Sequence, residues 1–345
     1  MVLPDFVTFS PLYGYIPLEN KKDLFMKKIV VSAGGTGGFM VLQGLRDYPF
    51  EITGIPPTFD SGDSTGILRD TRGALPQGDV RRHILGLARG GDDFLRSLLN
   101  FRFSKVENGS GVDGLSDHSL GNLILHGATK ICGGEVEAIK KISELLKIEG
   151  KVVPVSTNHS ELCAELEDGE VVRGETNIDR PKHDGSKAIR RIFLSPDAII
   201  TRDAYKAIVE ADVVVKGPGD LFTSILPNVL VKGFVEALDK SSAKIVYVVN
   251  IMTKWGETHG FTAEDFCAKV LEYLRRDKFD FVIVNNQTIR ADLLKKYSKE
   301  NAFPVKYSLQ SLRTFGKQII EANLLQESDI VRHDSKILGR IIAGL

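Results

Sequence analysis

At 345 residues, 42% apolar and 26% charged, the chain has the composition of a globular protein with a full core. Its 45 Lys plus Arg balance 45 Asp plus Glu, which removes the electrostatic case for a nucleic-acid partner. Three cysteines without a CxxC pair argue against a disulfide framework or a structural zinc site, and no apolar run reaches the length of a membrane span; a cytoplasmic setting is expected. Residues 1–27 are aromatic-rich, and Asp5 with several prolines breaks any signal-peptide core. They read as an N-terminal extension, either a disordered tail or a segment packed on the surface or across the partner of a homodimer.

Lys28–Gly38, KIVVSAGGTGG, begins a single domain running over 28–345. Apolar β-formers precede four glycines in five positions, Gly34, Gly35, Gly37 and Gly38, with Thr36 between them. Such a strand-to-helix turn leaves backbone amides bare, and a helix N-terminus with bare amides attracts phosphate. A tight turn that binds nothing is the alternative. A helix then runs over Phe39–Tyr48 until Pro49, followed by a strand at Glu51–Ile55. The loop Thr58–Gly66 is dense in Asp, Ser and Gly. Asp60 and Asp63, with Ser64 beside them, can hold a hydrated Mg²⁺ next to phosphates or form a self-bonded turn. Asp79 reads as the N-cap of a helix over Val80–Ala88. Residues from about 92 to 149 are mostly helical, including Ser119–Ile131 and Glu135–Leu146, and form a helical insertion.

The pattern changes over about 151–194, where alternating apolar stretches flank Asp168-Gly169. That pair marks a small antiparallel β-hairpin, with Arg191–Leu194 as a candidate third strand. Strands and helices then alternate: Asp203–Glu210 helical, Val213–Val215 a strand, Asn228–Leu238 helical, Ile245–Val249 a strand. Thr262 with Asp265 opens a helix before Phe266–Arg275, and Phe281–Val284 is a further buried strand. Continuous apolar strands in βα order predict a doubly wound, mostly parallel, Rossmann-like α/β sheet with helices on both faces.

In such a sheet, ligands collect beyond the carboxyl ends of the strands. Those ends carry Gly34–Gly38, Asp60–Ser64, Gly217-Pro218-Gly219-Asp220 with Thr223 and Ser224, Asn250 with Thr253, and Asn285-Asn286. Asp220 can face a ligand or cap the turn behind it; Thr223 and Ser224 can donate hydroxyls to a phosphate. Arg69, Arg72, Arg81 and Arg82 flank the second loop and can fork onto a diphosphate. Asn122, on the helix after His118, is a further polar candidate. Trp255 can stack on a base or pack beneath its loop. No Walker lysine, complete GxGxxG or ribose-binding carboxylate is present, which disfavours a P-loop NTPase and a dehydrogenase.

Seven stretches together resemble the CofD/YvcK-like family: GGTGG (34–38), DSGDSTGILRD (60–70), LPQGDVRRHILGLA (75–88), HSLGNLIL (118–125), ELCAELEDGEVVRGE (161–175), GPGDLFTSILPNVLV (217–231) and NIMTKWGET (250–258). One branch of that family transfers 2-phospho-L-lactate from a guanylyl-activated donor with Mg²⁺. The other contains gluconeogenesis factors, which bind UDP-sugars such as UDP-N-acetylglucosamine and act on carbon flux and cell-envelope synthesis. HSLGN, GPGDLFTSILPN and NIMTxxGET look like the second branch. The resemblance implies that Gly34–Gly38 contact a nucleotide diphosphate, that Gly217, Gly219 and Asp220 close the site, and that Asn250 and Thr253 line its rim. It implies a nucleotide-sugar-binding regulator. The alternative is a Mg²⁺-dependent transferase with Asp60 and Asp63 on the metal and Arg81 on phosphate.

Overall fold

The computed structural model describes residues 26–61, 77–89, 93–103 and 118–345. Its main body is a seven-stranded parallel sheet built from β1 (Lys28–Ser32), β2 (Glu51–Gly54), β3 (Lys151–Val152), β7 (Val213–Lys216), β8 (Lys244–Val248), β9 (Phe279–Asn285) and β10 (Gly316–Ala322). The order is β10-β9-β8-β7-β1-β2-β3, so the chain winds one way from β1 to β3 and the other way from β7 to β10. The strand order therefore reverses between β1 and β7, where Ile29 pairs with Val213 and Ser32 with Lys216. A crevice opens at such a reversal because the crossovers on either side leave in opposite directions.

Alternation along the strands fills two cores. Val30 and Val214 face one, packed under α7 (Arg202–Val209), α8 (Phe234–Lys240) and α9 (Ala263–Leu274). Ile29, Val31, Val213 and Val215 face the other, under α1 (Gly35–Leu45), α2 (Gly78–Leu87) and α12 (Ser335–Ala343). Burial on both faces explains why these strands read as unbroken apolar runs. Thr262 caps α9 in a reciprocal box with Asp265, as its spacing predicts.

The predicted helical insertion contains α3 (Asp93–Asn100), α4 (Leu120–Cys132) and α5 (Glu135–Leu145). A separate three-stranded antiparallel sheet, β5-β4-β6, holds the hairpin: β4 (Glu161–Leu166) and β5 (Val171–Arg173) meet at Asp168-Gly169, and β6 (Ile189–Ser195) is the third strand. Gly169 has φ +88°, the left-handed conformation the turn requires. Its neighbour α6 (Glu175–Asp179) returns to the main body, where the Thr176 amide donates to Ser61 Oγ at 3.0 Å.

Several expectations shift. Lys151–Val152 joins the edge of the main sheet and not the hairpin. The helix expected over Asn228–Leu238 starts at Phe234, because Gly233 has φ +97° and breaks the run. The first helix begins inside the glycine run, at Gly35, and ends at Leu45. α10 (Ala291–Ser298), α11 (Leu309–Leu312) and β10 lie beyond the predicted elements. Among the described residues no helix is long and apolar enough to cross a membrane.

Candidate functional site

The glycine run opens α1 at the sheet's switch point, but most of its amides and surfaces are already engaged. The Gly34 amide donates to Ser224 O at 3.0 Å and that of Gly38 to Gly34 O at 3.2 Å. The Gly35 amide donates to Asp79 Oδ1 at 2.8 Å, and the same oxygen accepts from Arg82 Nη1 at 2.9 Å. Asp79 therefore does not cap its own helix; α2 has Gln77 at its N-cap position without a side-chain cap, and the Asp79 carboxylate serves the N-terminus of α1. An anion does sit at this helix start, supplied by the protein. First-turn amides of Thr36 and Gly37 are the ones that remain for a ligand.

Close packing explains three of the four glycines. A Cβ at Gly37 would lie 1.9 Å from Pro218 O, one at Gly38 2.8 Å from His83 Nε2, and one at Gly34 2.6 Å from Asp79 Oδ2. Gly35 instead has φ +63°. His83 donates from Nε2 to Ala33 O at 2.8 Å, and burial pushes its pKa down to about 4, so it braces the loop as a neutral ring.

Beside this loop lies a cavity of about 240 Å³. The predicted residues Gly35, Thr36, Asp60 and Arg81 line it, as do Asn122, Asp220, Thr223 and Ser224. Gly37, Gly38, Gly217 and Gly219 shape the loops behind it. Asn250 accepts from the Gly219 amide at 3.2 Å, and Thr253 Oγ1 accepts from Phe303 N at 3.0 Å, so both brace backbone. Asn250 also lines a neighbouring crevice with Asn285 and Asn286. Asp63, Ser64, Arg69 and Arg72 lie outside the described residues. Trp255 packs against His259 and the backbone of Gly185.

Among the described residues four arginines line the cavity, Arg81, Arg82, Arg102 and Arg180. Burial and the charges of Arg82 and Arg102 lower the Arg81 pKa to about 10, and among the described residues its buried Nε has no hydrogen-bond partner. Its Nη1 is held by Ser119, which also caps α4 by accepting from the Asn122 amide at 3.2 Å. A buried guanidinium such as Arg81, repelled by its two neighbours, is stabilised by an anion brought into the cavity.

Two groups of carboxylates lie at the same cavity. Glu175, from α6, hydrogen-bonds Asp60; burial and then the Asp60 and Asp179 charges raise it to about 9, so the pair holds a proton at neutral pH. These hard oxygen donors fit a Mg²⁺ ion, which would take the proton's place. The second group is Asp179, Asp220 and Glu257, whose carboxylate oxygens lie within 4.8 Å of one another. Lys254 Nζ occupies it, 2.9 Å from Asp220 and 3.0 Å from Glu257 and hydrogen-bonded to Asp179. Burial works against that charge, yet Glu257, Asp220 and Asp179 together raise the lysine's pKa. Asp220 caps no amide; it pairs with Lys254.

Sequence reasoning missed Glu175, Asp179 and Lys254. Glu175 lies inside the quoted stretch 161–175, but its contact with Asp60 spans two sheets. Lys254 likewise lies inside the quoted stretch 250–258, but nothing local marks it as the partner of three acids.

A family model described as 2-phospho-L-lactate transferase CofD matches residues 29–325. The gluconeogenesis factor of Halalkalibacterium halodurans is 40% identical over 321 residues, covering 92% of this chain and 96% of the relative. That of Bacillus subtilis is 36% identical over 320 residues, covering 92% and 98%. A solved structure of a UPF0052 family member from Bacillus halodurans superposes with a TM-score of 0.85 at 37% identity, covering 93% of this chain and 100% of that one.

Proposed function

The chain belongs to the CofD family, and from that premise we propose that it is a regulatory protein that binds a nucleotide-sugar through its diphosphate. The observation that carries this reading is the buried Nε of Arg81, without a hydrogen-bond partner among the described residues, in an arginine-lined cavity beside the N-terminus of α1. A diphosphate satisfies forked donors and first-turn amides together. The relatives named gluconeogenesis factors support a regulator acting on carbon metabolism, with UDP-N-acetylglucosamine as the ligand to try first. Lys254 supports the same reading, because it supplies a cation to the Asp179–Asp220–Glu257 wall without a metal.

A second reading rests on Asp60 and Glu175. A carboxyl pair that fits Mg²⁺ beside a phosphate site suits a transferase, in which Arg81 and Arg82 would neutralise the phosphoryl group being moved and a bound Mg²⁺ would supply charge stabilisation. Calorimetry with UDP-N-acetylglucosamine and with GDP, each with and without Mg²⁺, separates the two. The regulator reading expects UDP-N-acetylglucosamine to bind whether or not Mg²⁺ is present. Binding confined to GDP with Mg²⁺, followed by GMP release with a phospholactate donor and a deazaflavin acceptor, establishes the transferase instead.

A further inference from the structure

Beneath the two loops that meet at the cavity, Lys216 ends β7 with a fully buried side chain. Its Nζ donates to Ser32 Oγ and to Ile225 O, each at 3.1 Å, and stands 5.0 Å from the centroid of the Phe234 ring. An ammonium has three N–H bonds, and here a hydroxyl, a carbonyl and an aromatic face answer them. Among the described residues no carboxylate pairs with it. Asn228 donates to the same Ser32 oxygen at 3.0 Å and to Ile55 O at 2.8 Å, so that hydroxyl gathers two segments of chain.

The places of these partners in the chain matter more than their number. Ser32 ends β1 just before the glycine run, and Lys216 immediately precedes Gly217. Ile225 closes a π turn over Leu221–Ile225 that carries Thr223 and Ser224. In that widened turn the Leu226 amide reaches back to Leu221 O at 3.0 Å, and the amides of Ser224 and Ile225 both donate to Asp220 O. The last carbonyls are then used across the site: Ser224 O takes the Gly34 amide and Ile225 O takes Lys216. π turns of this kind recur at functional sites.

We propose that Lys216 is the positioning residue of the cavity, an internal cation that clamps the π turn against the glycine run and so fixes Gly35 and Thr36 relative to Thr223 and Ser224. Its importance for a ligand rests on the reading that this cavity is the binding site; the clamp itself does not. Burial pushes Lys216 down to about 7. Tyr247, its register partner on β8, is the titratable side chain beside it, and burial raises that phenol so that it stays neutral. β1 presents Ser32, α8 presents Phe234 and the π turn presents the Ile225 carbonyl, none of which titrates. Deprotonation removes one N–H and the attraction to the ring, so the clamp is tightest below pH 7.

The stability effect has the opposite sign. A base whose pKa is lowered by folding opposes folding while it is charged, and that penalty fades as pH rises from about 7 toward the unfolded value of 10.5. Lys216→Met therefore loosens the two loops at pH 6 without lowering the melting temperature there. A residue that merely filled the core would change both in the same direction.

Amide hydrogen exchange on the full chain at pH 6 and 8.5, corrected for the intrinsic rate, tests this over residues 30–38 and 220–228, with thermal melts alongside. The wild type is expected to lose at least threefold protection at the Gly34 and Leu226 amides between the two pH values. K216M is expected to exchange there at least tenfold faster than wild type at pH 6, with no remaining pH dependence, and to melt no lower. K216Q, which keeps one N–H donor group, falls between them and carries the comparison if K216M does not fold. Unchanged exchange in both segments, or faster exchange throughout the protein with a lower melting temperature, overturns the proposal. No ligand enters the measurement, so a failure to bind UDP-N-acetylglucosamine would count against the functional reading and leave the clamp standing.

Discussion

Asp179, Asp220 and Glu257 form one group of acids at the cavity and Asp60 with Glu175 another, joined through α6, which carries both Glu175 and Asp179; both groups pose the same electrostatic problem of carboxylates brought close together. The first group contains a lysine of the protein's own, with Lys254 in contact with all three acids. The second holds a proton between its members. A tethered ammonium is permanent over the physiological range, so the first group acts as a fixed joint between α6, the π turn and the loop after β8. A shared proton can be exchanged for a cation or lost to solvent, so the second group responds to pH and to metal. Two neighbouring groups of acids therefore differ in kind: one is neutralised by a cation tethered to the chain and the other answers to solution conditions.

Removing the fixed cation should have the largest effect. Lys254→Met leaves three converging acids without a counter-charge, and breaking a buried ionic group in this way costs about 3 kcal/mol. Glu257 also accepts from the Phe222 amide at 3.2 Å and from Thr223 Oγ1 at 3.3 Å, so the loss should reach the π turn. Urea unfolding at pH 7 measures it. Adding Asp220→Ser to K254M should recover a large part of the loss, since one of the repelling acids goes with it. A K254M protein as stable as wild type would show that the three acids do not depend on the lysine.

This contrast is almost invisible in sequence, whereas the fold is largely legible there. Val213–Val215 and Ile29–Val31 read as buried parallel strands because both of their faces are covered, and the Asp168-Gly169 turn is written in two adjacent residues. The helix of Thr262 and Asp265 is likewise a local matter of spacing. β10 escaped because much of its GKQIIEA run stays exposed at a sheet edge and shows no continuous apolar signal. The glycine run is legible only in part: Gly37 and Gly38 are glycines because Pro218 and His83 press against them, contacts about 180 and 45 residues away. Asp79 looked like a cap for its own helix because that is what an acid near a helix start usually does; its tie to Gly35 is a product of packing between α1 and α2. Glu175 and Lys254 had no local signature, since an acid or a lysine in a loop is ordinary until another part of the chain arrives beside it.

The exchangeable group should reveal itself through pH. A carboxyl whose pKa is raised by folding, from 4.5 to about 9 for Glu175, contributes its full stability below 4.5 and loses it as pH rises toward 9. Glu175→Gln mimics the protonated acid, keeps a donor toward Asp60 and cannot ionise. It should leave stability unchanged near pH 4 and raise it at pH 8, where the wild type alone carries the cost of holding that proton against an ionised unfolded state. Melts of both proteins across that range give the answer directly. Parallel curves for E175Q and wild type would mean that Glu175 titrates as an exposed acid does, and the distinction between the two carboxylate groups would lose its second half.

Mg²⁺ provides the smallest and most selective probe. It should compete with the shared proton at Asp60 and Glu175 but find the other group occupied, because entering it means displacing an ammonium tethered to the chain. At ten times its dissociation constant, a ligand of the folded state adds about 1.4 kcal/mol of stability. Wild-type protein at pH 8 should gain roughly that from millimolar Mg²⁺, and E175Q and D60N should gain far less. K254M adds a second test, since vacating Asp179, Asp220 and Glu257 creates a place the wild type does not offer; Mg²⁺ should stabilise K254M more than it stabilises wild type. Equal stabilisation of wild type, E175Q and K254M would place the ion elsewhere, and neither group of acids would then be distinguished by what it holds.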